Sequence, residues 1–90
     1  MSYQSTLTVY KQLLEAKPGH ALLIGSDSVA VLVDGQVCGA YQDEMGRIDL
    51  SCAYDFDKSA WNAERDCWDC DHSPAMTANA IKSPVFIPIV

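Results

Sequence analysis

The chain has few basic residues, and this shortage narrows the classes of partner it can bind. Lysine and arginine together number 6, against 12 aspartate and glutamate residues, which gives a formal net charge of -6. Binding to a nucleic-acid backbone depends on lysine and arginine to displace counterions, so direct nucleic-acid binding is not expected. The carboxylates are concentrated in residues 43–71, which account for the whole net charge. That concentration favours a partner protein with a basic surface, because opposite charges steer association.

Long apolar runs are also missing from the sequence. No stretch approaches the length needed to span a bilayer, and the first residues lack the basic and apolar regions of a secretory signal. We therefore expect a soluble, cytoplasmic protein with no membrane partner, in which the 4 cysteines are reduced. A length of 90 residues and a hydrophobic content of 49% indicate one folded domain spanning residues 1–90.

The motifs of the common enzyme classes are not found. The turn at residues 25–28 has neither the lysine nor the further glycines of a phosphate-binding loop. No motif selects one cysteine to act with His20 or His72 as a nucleophile and its base. Carboxylates are numerous, but acid–base chemistry needs a pocket that separates their pKa values. We predict that the chain is not an enzyme and has no catalytic residues.

The first half of the chain predicts a helix followed by an antiparallel meander. Apolar residues recur with helical spacing from Tyr3 to Leu14, and Pro18 with Gly19 ends that helix. Asp34-Gly35 is a strong hairpin signal, because both central positions of a type I′ turn need a positive φ. Alternation of apolar and polar residues or enrichment in β-branched residues predicts strands at 21–24, 28–33, 36–41 and 47–54.

The second half predicts shorter elements. Asp57 or Ser59 is expected to begin a short helix that runs to about Trp68, and Ser73-Pro74 to open one or two helical turns over residues 75–81. Residues 85–87 form a last strand that Pro88 confines to a sheet edge. The predicted fold is α+β: an N-terminal helix packed on a three- to four-stranded antiparallel meander, one or two short helices, and a C-terminal edge strand.

Cys67, Cys70 and His72 form a C-x-x-C-x-H pattern that provides three ligands suited to zinc, two thiolates and one imidazole. A closed site needs a fourth ligand, drawn from Cys38, Cys52, His20 or a carboxylate. The sequence has no second paired set of ligands, so the alternative interpretation is a pair of reduced, partly packed thiols beside a surface histidine. A redox dithiol is disfavoured, because the surrounding carboxylates oppose a reactive thiolate.

Aromatic residues are interleaved with the acidic stretch, a composition typical of protein interfaces. Rings supply contact area and carboxylates select a basic partner. The predicted partner-binding residues are Asp43, Glu44, Asp55, Asp57, Trp61, Glu64, Asp66, Trp68, Asp69 and Asp71. The alternative is that both tryptophans belong to the core and the acids only keep the surface hydrated.

Three functions remain open at this point. The first is a small acidic protein-binding module that inhibits a partner complex by occupying its basic, nucleic-acid-binding surface, as inhibitors encoded by phages or plasmids do. The second is a zinc-stabilised structural domain centred on the C-x-x-C-x-H pattern. The third is a homo-oligomeric structural protein, such as a homodimer, paired through the apolar edge at residues 85–90.

Overall fold

The computed structural model describes residues 2–25, 27–56, 58–65, 67–68 and 79–89. One helix packs on a five-stranded antiparallel sheet, which confirms the predicted α+β fold. The elements are α1 (Tyr3–Glu15), β1 (His20–Leu23), β2 (Ser28–Val33), β3 (Gln36–Tyr41), β4 (Tyr54–Asp55), β5 (Trp61–Asn62), β6 (Cys67–Trp68) and β7 (Phe86–Pro88), with 3₁₀ turns at Leu50–Cys52 and Lys58–Ala60. The sheet has the strand order β4-β3-β2-β1-β7, and a separate two-stranded hairpin joins β5 to β6.

Helix α1 begins and ends close to where the sequence predicts. The Ser2 side chain accepts a hydrogen bond from the Ser5 backbone N–H at 3.1 Å, which satisfies one of the free donors of the first turn. Tyr10 and Leu14 are fully buried against the sheet, whereas Tyr3 and Leu7 at the start of the same stripe are half-buried. Among the described residues, no helix has the length and apolar character needed to cross a membrane.

The sheet is buried on both of its faces at its centre. Tyr10, Leu14, Leu22, Ile24, Ala30 and Ala80 form the core between α1 and the sheet. A second core covers the opposite face and consists of Ala21, Val29, Val31, Cys38, Ala40 and Ile48. Ile48 comes from the long connection between β3 and β4, so this connection folds back over the face that α1 leaves uncovered.

The hairpin between β2 and β3 has the predicted turn. Asp34 and Gly35 have φ values of 52° and 80°, and Val33 pairs with Gln36 across the turn. Both central residues are therefore left-handed, as a type I′ turn requires. The residues on either side pair in register along the full length of β2 and β3.

Replacing Gly35 by alanine is expected to lower the free energy of unfolding by about 1 kcal/mol, the cost of a left-handed conformation for an L-residue. A Cβ atom at Gly35 would contact nothing within 4 Å, so the backbone conformation is the whole cause. The measurement is urea denaturation at equilibrium. Gly35→Asn serves as the control, because asparagine tolerates the left-handed region and should retain most of the stability. Equal midpoints for Gly35→Ala and the unchanged chain would contradict the expectation.

The strand predicted at residues 47–54 is wrong for most of its length. The Asp49 carboxylate accepts hydrogen bonds from the Ser51 backbone N–H at 3.0 Å and from the Ser51 hydroxyl, and it begins the 3₁₀ turn Leu50–Cys52. Such local bonds compete with the ladder between strands. Only Tyr54–Asp55 joins the sheet as β4, and Cys52 is exposed.

The short helix predicted from Asp57 or Ser59 to Trp68 is also wrong. Residues 58–60 form one 3₁₀ turn, and the chain then folds into the β5–β6 hairpin. The Asn62 side-chain oxygen accepts hydrogen bonds from the backbone N–H groups of Glu64 and Arg65, both at 3.1 Å, and so stabilises the turn. A spacing of seven residues suits one helix face, but it also suits this hairpin, in which Trp61 pairs directly with Trp68. Asp57, like the predicted helix start at Ser73-Pro74, lies outside the described residues, whereas residues 79–82 are helical.

Candidate protein-interaction surface

Ring contacts join most of the aromatic side chains into one cluster. Phe56 is at its centre, with ring-centroid distances of 4.9 Å to Trp68, 6.1 Å to Tyr54 and 6.5 Å to Tyr10. The cluster connects α1, β3, β4 and the β5–β6 hairpin, and its members are Tyr3, Tyr10, Tyr41, Tyr54, Phe56, Trp61 and Trp68. One end of it is therefore in the core, and the other reaches the β4 edge of the sheet.

The two tryptophans lie in the inner part of this cluster. Trp68 is only 4% exposed and stacks on Phe56, while Trp61 is half-buried and meets Trp68 edge to face at 5.1 Å. Neither indole N–H has a hydrogen-bond partner among the described residues. Trp68 was predicted to contact a partner, but its side chain is buried and leaves almost no surface for a partner to contact. Trp61 retains some exposed surface beside it.

The outer end of the cluster is exposed. Tyr41 is 54% exposed and Tyr54 37%, and their ring centroids are 5.5 Å apart. Two further apolar side chains of the connection between them are exposed as well, Met45 by 77% and Leu50 by 42%. We call Tyr41, Met45, Leu50 and Tyr54 the β3–β4 patch. None of its four members was among the predicted partner-binding residues, although Met45 stands in a turn between charged residues, where an apolar side chain has little chance of burial.

Exposed carboxylates accompany the patch along the same stretch of chain. Asp43 accepts hydrogen bonds from the backbone N–H groups of Met45 and Arg47, at 2.9 and 2.8 Å, and from the Arg47 guanidinium at 3.3 Å. The backbone bond from Arg47 is the main reason that the pKa of Asp43 is lowered. The hydrogen bonds from Ser51 likewise lower the pKa of Asp49. Both groups therefore take up a proton at a lower pH than a free carboxylate does.

The predicted acidic residues that the structure describes lie in three places. Asp43 and Glu44 lie in the turn after β3, whereas Asp55 lies on β4 opposite Cys38. Glu64 lies in the turn of the β5–β6 hairpin instead. The others, Asp57, Asp66, Asp69 and Asp71, lie outside the described residues.

Of the predicted zinc ligands, the structure describes Cys67 alone. Its side chain is fully buried in β6, and Cys70 and His72 lie outside the described residues. In the described part of the chain, no group of three or more histidine, cysteine, aspartate or glutamate side chains is placed to hold a metal ion. The zinc site therefore stays a prediction.

The residues considered for a fourth zinc ligand are on separate elements with contacts of their own. The Cys38 thiol faces the Asp55 carboxylate at 3.8 Å, and the Cys52 thiol faces the Asp49 carboxylate at 3.4 Å. His20 is on β1, and its Nδ1 is 3.1 Å from the Pro18 carbonyl oxygen.

Cys52 is expected to react with iodoacetamide well before Cys38 in the folded protein. Cys52 is exposed, whereas burial and the neighbouring Asp55 carboxylate raise the pKa of Cys38 and so reduce its thiolate fraction. Mass spectrometry of proteolytic peptides at successive times measures both rates. Labelling in denaturant is the control, in which the two rates should become similar. Equal rates in the folded protein would contradict the described positions.

The C-terminal strand is a poorer pairing edge than its sequence indicates. The Leu23 N–H donates to the Val85 carbonyl and the Ile89 N–H donates to the Gly19 carbonyl, both at 2.9 Å. In an antiparallel pair of strands, successive residues direct their backbone N–H and C=O groups alternately toward the partner strand and away from it. Because Val85 and Ile89 direct theirs toward β1, the backbone groups of residues 84, 86 and 88 point away from β1. Two of these three residues are prolines, which have no N–H to offer. This edge is therefore protected against addition of another strand, which argues against the predicted homo-oligomer through residues 85–90.

Two observations define the candidate surface. The exposed apolar side chains of the β3–β4 patch share one stretch of chain with carboxylates whose pKa values are lowered, and the Phe56 ring contacts the Tyr54 ring of the patch. Comparison of the chain with protein-family models, with curated proteins and with solved structures found no match.

Proposed function

We propose that this chain is a small acidic protein-binding module that occupies a basic surface of a partner protein. Such a surface is the kind that nucleic-acid-handling complexes present to a phosphate backbone, so occupying it would inhibit nucleic-acid binding. The chain itself would bind neither nucleic acid nor a membrane, and it would carry out no catalysis.

The observation that carries the proposal is the uncompensated negative charge of the surface. Glu44, Asp55 and Glu64 are exposed, and they form no ion pair with any described residue. Asp43 is paired with Arg47 at 3.3 Å, but both side chains are largely exposed, and such a pair is weak in water. These carboxylates therefore produce a negative field outside the protein, which attracts a cationic partner.

The first test uses a synthetic peptide in which arginine and leucine alternate. Its control is the same peptide with every arginine replaced by citrulline, which keeps the shape and removes the charge. We expect the arginine peptide to bind and its association rate to fall about 10-fold or more between low and physiological salt, because the steering field is screened. Duplex DNA should compete with the chain for the arginine peptide. Equal binding of both peptides, or binding that salt leaves unchanged, would refute the proposal.

Two pairs of variants locate the charge that matters. Asp43→Asn with Glu44→Gln removes two charges from the turn after β3, and the asparagine keeps the acceptor that the turn uses. The matched control, Glu15→Gln with Asp34→Asn, removes two exposed charges from outside residues 43–71. We expect the first pair to slow association severalfold and the control pair to change it little. The same slowing in both pairs would show that only net charge matters.

A further inference from the structure

We infer that the partner docks on the β3–β4 patch, and that it does so with a basic protein segment carrying apolar side chains. This inference rests on the proposed function and adds to it the surface and the chemistry of the partner. The apolar side chains of the segment would cover Tyr41, Met45, Leu50 and Tyr54, while its arginines or lysines would meet the carboxylates beside them.

The first argument is where the exposed apolar surface lies. Among the described residues, five large hydrophobic side chains are exposed. Four of them lie on β3, on β4 or in the connection between these strands, and the rings of Tyr41 and Tyr54 are in contact. The fifth, Val85, is next to β7 at the opposite edge of the sheet. Apolar side chains grouped on one part of a surface mark an interaction site more often than isolated ones do.

The second argument is that part of the patch is held in place before any partner binds. The Tyr54 ring crosses over Gly39 on the neighbouring strand, where the missing Cβ leaves it room. Tyr41 leans on the outer side of Tyr54, and Phe56 supports its inner side. Aromatic rings with few rotatable bonds, already fixed by their neighbours, lose little entropy when a partner covers them.

The third argument is the charge around the patch. Asp43, Glu44, Asp49 and Asp55 alternate with the apolar residues along the chain, and Arg47, the one basic residue of residues 41–55, already pairs with Asp43. Exposed apolar side chains that alternate with carboxylates along the chain fit a basic segment that carries apolar side chains of its own. A second copy of this chain would place the same carboxylates against one another, so self-association through the patch is disfavoured.

Other surfaces fit such a partner less well. An open cleft of about 360 Å³ lies between α1 and the β2–β3 hairpin, but Lys11 and Asp55 in its lining carry opposite charges and do not select a cation. The β7 edge has prolines at the outward positions, and Trp68 is buried.

The experiment compares patch variants that leave the net charge unchanged. Tyr41→Ser with Met45→Ser removes apolar surface from the patch, and Val85→Ser removes an exposed apolar side chain from the other edge as the control. For the arginine–leucine peptide, we expect the dissociation rate of the patch variant to rise about 10-fold or more, since interface contacts act mainly on that rate. The Val85 variant should behave like the unchanged chain. Thermal melting verifies that each variant is folded.

A second measurement does not depend on any variant. Amide chemical shifts of the unchanged protein, titrated with the same peptide, should move at residues 41–55 and remain constant at residues 61–65 and 85–87. A peptide with serine in place of every leucine should bind more weakly, because it keeps the charge and lacks the apolar contacts.

The outcomes separate this inference from the proposed function. If the arginine peptide binds with salt dependence but the patch variant binds as well as the unchanged chain, or the shifts move at residues 61–65, the docking surface is wrong and the function stands. If sedimentation shows a dimer that the patch variant abolishes, a second copy covers the patch and the inference fails. If no arginine peptide binds at low salt, the proposed function fails together with the inference.

Discussion

Replacing Trp68 by alanine is expected to lower the free energy of unfolding by about 3–5 kcal/mol, the usual cost of removing a large aromatic side chain from a core. Trp68 is 4% exposed and touches three rings, at centroid distances of 4.9 Å to Phe56, 5.1 Å to Trp61 and 5.6 Å to Tyr3. Its contact with Tyr3 joins the β5–β6 hairpin to α1. Denaturation in guanidinium chloride, followed by far-ultraviolet circular dichroism, measures the change.

The control for this prediction is Trp68→Phe. Phenylalanine keeps a ring at the position and removes an indole N–H that has no hydrogen-bond partner among the described residues. The free energy of unfolding should therefore fall much less than it does in Trp68→Ala. Native domains are stable by about 5–15 kcal/mol, and small ones have the thinnest margins, so Trp68→Ala can leave the chain largely unfolded. An alanine variant as stable as the unchanged protein would show that the aromatic cluster does not hold the hairpin to the helix.

Replacing Gly39 by alanine is expected to destabilise the protein by about 1–3 kcal/mol, the range for overpacking. A Cβ at this position would lie 2.6 Å from Cε2 and 2.7 Å from Oη of Tyr54, so the ring must move off β3. Displacement of the Tyr54 ring also breaks its contact with the Tyr41 ring and so disturbs the β3–β4 patch. Urea denaturation measures the stability, and the amide shifts of residues 54–56 report the movement of the ring.

A double-mutant cycle tests the cause directly. In a Tyr54→Ala background the obstructing ring is absent, and Gly39→Ala should then be neutral or stabilising by about 0.4–1 kcal/mol, because alanine restricts the unfolded chain more than glycine does. Gly39 does not have a left-handed φ, so backbone strain is not expected to interfere. If Gly39→Ala destabilises equally in both backgrounds, the ring is not the reason.

The elements that the sequence predicted well are those specified by neighbouring residues. Asp34-Gly35 needs only its own backbone preference to make a type I′ turn, and that turn aligns β2 and β3. The bounds of both strands were correct for this reason. Helix α1 was also predicted from local sequence, because its buried stripe and the turn that ends it lie within one continuous stretch of residues.

The failures occurred where a local pattern fits two structures. Residues 47–54 alternate like a strand, but Asp49 bonds to Ser51 and forms a turn instead. Residues 61–68 have helical spacing, but the pairing of Trp61 with Trp68 favours a hairpin that packs against Tyr3 and Phe56. In the second case the deciding contacts come from residues distant in sequence, which a local pattern does not contain.

The sequence by itself determined the α+β class, the first hairpin and the position of the negative charge, because turn preferences, periodicity and charge belong to individual residues and their neighbours. The tertiary structure alone decided that Trp68 is buried, that Tyr54 lies over Gly39, and that Tyr41, Met45 and Leu50 are exposed. Burial depends on which strands become neighbours, and β3 meets β4 only after a connection that covers the second face of the sheet. The candidate surface is therefore a product of packing, while its charge was already present in the chain.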